Sequence, residues 1–257
     1  MVFNRLILLT PYHGTREVLE KTIESVISQL DKKDIWIIVL DNQNFSKLIN
    51  KKKYDQLIFL KNSGLRGAGN CRNLGLDYIA ENLDGNFLLL PFDGDDIIED
   101  NGVNLIKQTM INSSHDVISF AHKKLWPNGT SRVIGYDGVF NIKDLLKRYL
   151  TPCGSTVVKI NDPKILKSFR FGSRFRVNDA LFFYQVVKYF GKFKCSPKVV
   201  LNYKVGNTKS LSGKKLFMIY YKYLSLRDFG LSSYQTIYYT LCHIINGIRR
   251  YYFKQSI

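Results

Sequence analysis

Cysteines and long apolar runs are both scarce in this chain. The four cysteines are scattered, with no CxxC pair and no disulfide-like spacing: Cys71, Cys153, Cys195 and Cys242. This pattern favours a reducing compartment over a disulfide-stabilised fold. No window of 18 or more wholly apolar residues occurs, so we expect no transmembrane helix. The apolar run near the N-terminus is too short for a signal peptide, and we expect none.

Acidic residues are also few. The 257 residues include 38 Lys and Arg against 21 Asp and Glu, which gives a formal net charge of +17. Such a charge favours anionic partners, whether nucleic acid, an anionic membrane surface or phosphorylated substrates, and does not choose among them. The length and an apolar content of 45% predict one globular domain with room for an appendage.

In the first hundred residues, short apolar runs alternate with amphipathic helices. Helices are predicted from Thr15 and from about Gly67 to Asn82. The runs that predict buried strands are Leu6–Leu9, Ile35–Leu40, Leu57–Leu60 and Phe87–Leu90. This alternation predicts a parallel, doubly wound sheet. Its first, second and fourth strands would bring Pro11, Asp41 and Asp93 to one edge.

The order of predicted elements changes after Asp100, where the pattern predicts a sheet with mixed rather than purely parallel strands. Asn128-Gly129 indicates a hairpin turn. The predicted elements are a helix over Val103–Ile111, a strand over Asp116–Ala121, a hairpin over Leu125–Tyr136, a helix over Asn141–Leu150, a strand over Ser155–Ile160, a helix over Ala180–Phe190 and a strand over Cys195–Tyr203.

Three acids follow the fourth predicted strand: Asp93, Asp95 and Asp96, with Gly94 allowing a sharp turn. Ligands bind at the carboxyl ends of strands in α/β sheets. Crowded carboxylates repel one another unless a cation shares them, and oxygen ligands suit Mg²⁺ or Mn²⁺ bound together with a substrate phosphate. The alternative is an acidic turn that caps the next helix, and Asp96 in particular is expected to cap it.

The segment from about Lys214 to Ile257 is rich in tyrosine, and its charges are nearly all positive. It is too polar to span a bilayer, but helices with tyrosines and cations suit the headgroup region of a membrane. The alternative is a helical hairpin packed on the rest of the chain or on a second subunit. We therefore expect residues 1–213 to form the main domain, in halves 1–100 and 101–213, and 214–257 to form a helical amphipathic tail.

Several motifs occur in a characteristic order along the chain. They are Pro11-Tyr12-His13-Gly14, Glu24-Ser25-Val26 with Gln29, Asp41 after the second strand, Asn62-Ser63-Gly64, Arg72-Asn73-Leu74-Gly75, Asp93-Gly94-Asp95-Asp96, and Asn178-Asp179. In this order they resemble the family 2 glycosyltransferases of the GT-A fold, over roughly Leu6 to Lys215. The resemblance implies an α/β fold with a mixed sheet flanked by helices, and an inverting, metal-dependent enzyme that uses a nucleotide-diphospho-sugar.

The resemblance also implies a donor site, whose residues would be Pro11, Tyr12, His13, Asp41, Arg66, Arg72, Asp93 and Gly94. An aromatic ring from Tyr12 or His13 would stack on the base, and Asp41 would accept a hydrogen bond from uracil, which makes the donor a UDP-sugar. The arginines would bind the diphosphate. From the residues alone, Asp41 is equally well a turn residue, and the glycine-rich segment is equally well a loop with no ligand.

The metal, Mn²⁺ or Mg²⁺, would be held by Asp95 and Asp93. Asp179 would be the catalytic base, at the start of a late helix where the family carries a Glu-Asp pair and this chain has Asn178 in place of Glu. A base is needed because direct displacement requires a group to accept the proton of the attacking hydroxyl. The alternative for Asp179 is a helix N-cap.

Acceptor contacts are expected from Trp126, Cys153, Ser155 and Asn178, with His122 beside Trp126. The segment from Tyr203 to Ser212 resembles a closing lid, with Lys204 or Lys209 touching the diphosphate. The chain lacks Gln-x-x-Arg-Trp, which argues against a processive polymerase of the cellulose or hyaluronan type.

The resemblance and the basic tail together imply transfer of one sugar to a glycan or lipid-linked saccharide in surface polysaccharide biosynthesis. The enzyme would be cytoplasmic and peripheral on the inner face of the cell membrane, and a homodimer is a further expectation. Two rivals remain open at this point. A sugar nucleotidyltransferase would carry a Gly-rich motif with Arg and Lys after the first strand, and Pro11–Gly14 does not. A basic nucleic-acid-binding module would need no acidic cluster, and we expect no nucleic acid partner.

Overall fold

The computed structural model describes residues 3–41, 54–173, 177–204 and 215–252. The first half follows the predicted alternation. Its elements are β1 (Leu6–Tyr12), α1 (Arg16–Ile27), β2 (Ile35–Asp41), β3 (Leu57–Asn62), α2 (Ala68–Asn82) and β4 (Phe87–Pro91). Strands β1, β2 and β4 form because each is largely a continuous apolar run that the sheet buries on both faces, whereas edge strand β3 is half-buried.

The second half is mixed, as predicted, and carries two further short strands that the apolar pattern did not indicate, β5 and β8. Its elements are β5 (Ile97–Ile98), α3 (Gly102–Ile111), β6 (Val117–Leu125), β7 (Ser131–Ile134), β8 (Gly138–Asn141), α4 (Ile142–Lys147), β9 (Thr156–Ile160), a 3-10 helix (Pro163–Ser168), α5 (Asn178–Phe190) and β10 (Lys192–Lys204). The hairpin is confirmed, since β6 and β7 pair antiparallel around Asn128-Gly129.

The described strands join in one sheet, in the order β3-β2-β1-β4-β9-β6-β10-β5, with β7 on β6 and β8 on β10. Four neighbouring strands, β3, β2, β1 and β4, run parallel. β9 is antiparallel to both β4 and β6 and so separates the parallel part from the second half. The carboxyl ends of β1, β2 and β4 therefore meet at one edge, where the site lies.

Side chains alternate between the two faces of the sheet, and each face carries its own apolar layer. On β1, Ile7 and Leu9 belong to the layer shared with α2, α5 and the 3-10 helix. Leu6 and Leu8 belong to the layer shared with α1 and α3. The centre of the sheet is thus covered on both sides, which explains why β1, β2 and β4 are largely apolar rather than alternating.

The tail forms two helices, α6 (Lys215–Asp228) and α7 (Ser233–Tyr252), that pack on the rest of the chain. α6 contacts α5, where fully buried Leu226 joins the core, and Lys222 donates a hydrogen bond to the Tyr184 hydroxyl. α7 contacts α4, and Asn246 Nδ2 donates to the Lys147 carbonyl at 3.2 Å. This is the packing alternative expected for the tail. Within the residues that the structure describes, no helix is both long and apolar enough to cross a membrane.

Candidate functional site

The site begins at the edge where β1, β2 and β4 end. In the parallel register, Pro11 lies opposite Val39 and Leu9 opposite Pro91, so Asp41 and Asp93 follow strands that end on either side of β1. This agrees with the prediction that Pro11, Asp41 and Asp93 share one edge. Residues 42–44, which continue the Asp41 motif, lie outside the described part of the chain.

Asp41 is buried and binds the glycine-rich segment. Its Oδ1 accepts a hydrogen bond from Asn62 Nδ2 at 3.1 Å, and its Oδ2 accepts one from the Gly67 amide at 3.0 Å. The φ of Gly67 is 114°, a conformation that favours glycine, and it aims this amide at the carboxylate. Arg66, one residue earlier, is exposed. The carboxylate thus anchors the loop that leads into α2.

Arg72, on the first turns of α2, joins residues that are far apart in the chain. Its side chain is 5% exposed and donates hydrogen bonds from Nη2 to Asp93 Oδ1 and from Nη1 to Asn178 Oδ1, the latter at 2.8 Å. The guanidinium also lies over the Phe171 ring, 5.1 Å from its centroid. A buried arginine that contacts both segments fixes the acidic turn against the start of α5.

Tight backbone packing supports this junction. A Cβ on Gly69 would lie 1.9 Å from the Gly172 carbonyl oxygen, so no larger residue fits there without a shift. The Gly172 amide in turn donates to the Asn178 carbonyl at 2.8 Å. Glycine at the start of α2 thus allows the helix to approach the segment that carries Asn178.

The three acids of the turn differ in exposure. Asp95 is exposed, and the Asp93 side chain is 35% exposed. Asp96 is buried, and its Oδ2 has no hydrogen-bond partner among the described residues. Although the Asp95 side chain reaches solvent, partial desolvation among its neighbours, and then the negative charge of Asp93, raise its pKa. Burial raises the pKa of Asp96 well above its usual range, and Asp93 and Asp95 add to the effect.

The expectation that Asp96 caps the next helix is wrong. α3 begins at Gly102, with Asn101 at the N-cap position in a left-handed conformation, φ 61°. The two-residue strand β5 lies between Asp96 and that helix and pairs with β10. The chain therefore re-enters the sheet before the helix starts, and Asp96 stays under the acidic turn.

The donor set at this turn is small. Among the described residues, no group of three or more His, Cys, Asp or Glu side chains is arranged to hold a metal ion. Asp95 and Asp93 are nevertheless the donor type that Mg²⁺ and Mn²⁺ use, and a hard cation often takes only one or two carboxylates when a substrate phosphate and water complete its shell. The residues fit a cation shared with a phosphate, and do not fit a site built from protein ligands alone.

Of the two neighbouring aromatic residues at the end of β1, Tyr12 and His13, only His13 is accessible. The Tyr12 ring is 4% exposed, and its hydroxyl donates to the Thr15 carbonyl. A Cβ on Gly94 would lie 2.4 Å from Tyr12 Cδ2, so this ring packs directly under the acidic turn. His13 is exposed. Tyr12 therefore supports the turn from below, and His13 is the ring that a ligand can reach.

Asp179 lies in the first turn of α5, directly after Asn178, whose side chain Arg72 binds. Val177 precedes them with φ 56°, a strained conformation for a β-branched residue. The Tyr149 hydroxyl donates to Asp179 Oδ2 at 2.7 Å. Desolvation raises the pKa of Asp179, and the Tyr149 hydrogen bond and the charge of Arg72 oppose that rise.

The residues expected at the acceptor side lie at different depths. Cys153 is 8% exposed, and burial raises the pKa of its thiol well above the usual value. Ser155 is fully buried, and its neighbour Gly154 donates its amide to the Pro91 carbonyl at 2.6 Å. Trp126 lies at the turn between β6 and β7, partly exposed. Lys204 ends β10, and its charge opposes the raised pKa of Asp95.

One feature of the site lies beyond the sequence motifs, and one predicted feature lies outside the described residues. Tyr149 carries no motif signal, because it follows α4 in a loop and meets Asp179 only through the tertiary fold. The proposed lid residues Lys209, Ser210 and Ser212 lie outside the described part of the chain.

Comparison with known structures supports the architecture. A crystal structure of S. aureus TarS 1-349 in complex with UDP-GlcNAc has a TM-score of 0.65 and 15% sequence identity, covering 90% of this chain and 69% of that one. The mannosyltransferase PcManGT from Pyrobaculum calidifontis, in complex with GDP-Man and Mn²⁺, has a TM-score of 0.59 and 9% identity, covering 94% and 69%. At these identities the likeness shows the fold alone. No curated protein matches the chain.

The doubly wound sheet and its match to these structures define the GT-A fold. The family model described as glycosyl transferase family 2 matches residues 7–135, half of the chain, from β1 to the hairpin. The chain belongs to this family.

Proposed function

We propose that the protein transfers one sugar, with inversion, from a UDP-sugar to a hydroxyl of a glycan or lipid-linked saccharide, in surface polysaccharide biosynthesis. One observation carries this proposal: buried Arg72 contacts both Asp93 and Asn178, which brings the acidic turn next to Asp179. An acidic turn, an arginine and a carboxylate of raised pKa in one place suit transfer from a diphosphate leaving group. TarS with UDP-GlcNAc and PcManGT with GDP-Man support a nucleotide-sugar donor.

The donor would bind across the strand ends. Asp41 already holds the loop through Asn62 and Gly67, and each of its oxygens retains a lone pair that can accept a base N–H. His13 would stack on the base beside Pro11, since the Tyr12 ring is buried. Arg66 and Arg72 would give charge-assisted hydrogen bonds to the diphosphate.

Asp95, with Asp93, would hold Mn²⁺ or Mg²⁺ together with the diphosphate. The cation, when bound, neutralises charge on the departing nucleoside diphosphate. The protein's own part is to keep Asp93 in place through Arg72 and to leave the Asp95 carboxylate exposed. A cation would also offset the repulsion that raises the pKa of Asp95.

Asp179 would be the general base. The acceptor oxygen attacks the anomeric carbon while the bond from that carbon to the phosphate oxygen breaks, and its electron pair leaves with the nucleoside diphosphate. The hydroxyl proton passes to Asp179, and attack from the face opposite the leaving group inverts the configuration. A raised pKa suits this task because it makes the carboxylate a stronger base. Partly exposed Trp126 would border the acceptor, with buried Cys153, Ser155 and Asn178 behind that surface.

The exposed face of α7 suggests that the enzyme works at a membrane surface. Six apolar side chains at helical spacing, each at least 50% exposed, form what we call the α7 stripe: Tyr234, Ile237, Tyr238, Leu241, Ile245 and Ile248. α7 carries no acidic residue, and exposed Arg249 lies near its C-terminal end. An apolar stripe with tyrosines and positive charge suits the surface of an anionic membrane, and we propose that the enzyme is peripheral there. A homodimer through the stripe is the rival.

The test combines binding and transfer. Saturating UDP with Mn²⁺ should raise the melting temperature of the wild type by about 5–10 °C at 100 times the Kd, because ligand binding to the folded state adds about 2.7 kcal/mol. Asp95→Ala should lose the Mn²⁺-dependent part of this shift. Asp179→Asn should keep the shift, since an amide oxygen still accepts from Tyr149, but should lose about 10²–10⁴-fold in sugar transfer.

Three outcomes would contradict the proposal. Oligonucleotides that raise the melting temperature while UDP does not would favour the nucleic-acid-binding rival. Formation of a nucleotide sugar from a sugar phosphate and UTP would favour the nucleotidyltransferase. Normal transfer by Asp179→Asn would remove Asp179 as the base. Screening UDP-sugars for hydrolysis with the wild type comes first, since it identifies the donor to use in the other assays.

A further inference from the structure

Tyr149 is the one neutral side chain that the structure records donating a hydrogen bond to the Asp179 carboxylate. Its hydroxyl lies 2.7 Å from Asp179 Oδ2. We infer that Tyr149 is a positioning residue: it holds Oδ2 so that Oδ1 is left to accept the proton of the acceptor hydroxyl. This inference rests on the proposed function, because it gives Tyr149 a role only if Asp179 is the base.

The backbone around Tyr149 is fixed on both sides. Two residues earlier, the Lys147 carbonyl accepts the hydrogen bond from Asn246 of α7. The next residue, Leu150, is 2% exposed, and its carbonyl accepts from Ser119 Oγ at 2.7 Å. The Tyr149 ring also borders a small cavity of about 20 Å³ with His122, Tyr136 and Leu150. A side chain held in this way presents its hydroxyl in a defined place, which a positioning role requires.

Asp179 is surrounded by titratable groups from several elements. They are Arg72 of α2, Asp93 after β4, Cys153 before β9, Tyr184 of α5 itself and Lys222 of α6. Arg72 binds Asp93 and Asn178, and Lys222 binds the Tyr184 hydroxyl, so the recorded hydrogen bonds of both cations go to other groups. Among the side chains that the structure describes, the direct orienting contact of the carboxylate is therefore the one from Tyr149.

Tyr149 is suited to orient the base and not to replace it. Although Tyr149 is 37% exposed, desolvation of its hydroxyl beside Asp179, and then the negative charge of Asp179, raise the pKa of the phenol well above its usual value. The phenol therefore stays protonated and remains a donor at neutral pH. Its hydrogen bond stabilises the ionised carboxylate and lowers the pKa of Asp179. Tyr149 thus keeps more of Asp179 in the form that can accept a proton, and keeps it in one orientation.

The experiment compares Tyr149→Phe with Tyr189→Phe, a matched loss of a hydroxyl. Tyr189 is 60% exposed on α5, and its ring contacts Phe169 and Phe190 rather than the site. Transfer is measured with the UDP-sugar found by screening, from about pH 5 to pH 9, alongside the UDP–Mn²⁺ melting shift. For Tyr149→Phe we expect kcat to fall about 10-fold. We also expect the acidic limb of the kcat profile to move up by about one pH unit, because the free energy of a hydrogen bond to a charged group corresponds to about one pKa unit. KM for the donor and the melting shift should match those of Tyr189→Phe.

The inference is overturned if Tyr149→Phe keeps the kcat and acidic limb of Tyr189→Phe. It is also overturned if kcat falls together with the melting temperature and the UDP response while the limb stays in place, because that pattern is a structural loss. Failure of the proposed function has a different signature: either the wild type transfers no sugar, or Asp179→Asn transfers it normally.

Discussion

The contact of Arg72 with Asp93 and Asn178 gives the sharpest prediction about how the site is held together. Arg72→Met keeps most of the side-chain length but removes the charge and both donors. Asp93 then loses its counter-charge beside Asp95 and Asp96, and buried Asn178 loses the partner of its Oδ1. Stability and nucleotide binding should therefore fall together.

The size of the expected stability loss in Arg72→Met follows from how exposed Arg72 and Asp93 are. Removing one member of a fully buried ion pair costs about 3–5 kcal/mol. The Arg72 side chain is 5% exposed, but that of Asp93 is 35% exposed, so water screens part of the loss. We take about 3 kcal/mol, which for a chain of this size lowers the melting temperature by about 6–12 °C.

Arg170→Met is the matched control. Arg170 Nη2 also pairs with an aspartate, Asp77, at 2.7 Å, but the two side chains are 37% and 41% exposed and lie outside the site. Such pairs contribute about 0–1 kcal/mol, so the melting temperature should fall by less than about 4 °C. Calorimetry or fluorescence melting with and without UDP and Mn²⁺ measures both effects. Equal melting temperatures for the two variants, or a full UDP response in Arg72→Met, would refute the role of Arg72.

Two further predictions concern the tail. Burial lowers the pKa of Lys222 to about 8, so between that pH and its ordinary value of 10.5 the unfolded chain binds more protons than the folded one, and folding stability should rise with pH in this window. Lys222→Met should lack this rise in stability. The prediction would be contradicted if the wild type and the variant differed in stability by the same amount at pH 7 and near pH 10. The α7 stripe should bind vesicles that contain phosphatidylglycerol, as measured by co-sedimentation. Replacing Ile237, Leu241 and Ile245 of the stripe by serine should abolish this binding. Serine at the half-exposed valines Val133 and Val139 is the control. Equal sedimentation of both variants would contradict the membrane proposal, and a concentration-dependent dimer lost only in the stripe variant would favour the homodimer.

Much of the first half was predictable because its strands are apolar throughout. Ile35–Leu40 and Phe87–Leu90 could only be buried strands of a covered sheet, and the positions of Asp41 and Asp93 followed from that. The glycine-rich segment and the acidic turn then occurred in the order that the family resemblance requires. Local pattern and global fold agree in this part of the chain.

The rest depended on tertiary contacts that leave no local trace. Two-residue β5 is too short to give a periodic signal, and missing it led to the wrong expectation that Asp96 caps α3. Tyr149 meets Asp179 across 30 residues of chain, and neither residue predicts the other. Buried Leu226 also shows that the tail contributes to the core, so truncation near Lys215 would expose core surface as well as remove the α7 stripe.

The most direct test of the account is a crystal structure of the protein with UDP and Mn²⁺. We predict that the uracil would lie at Asp41, the diphosphate beside Arg72 and the cation at Asp95 and Asp93, with Asp179 facing the space left for the sugar. Nucleotide and manganese found together at any other place on the molecule would contradict it.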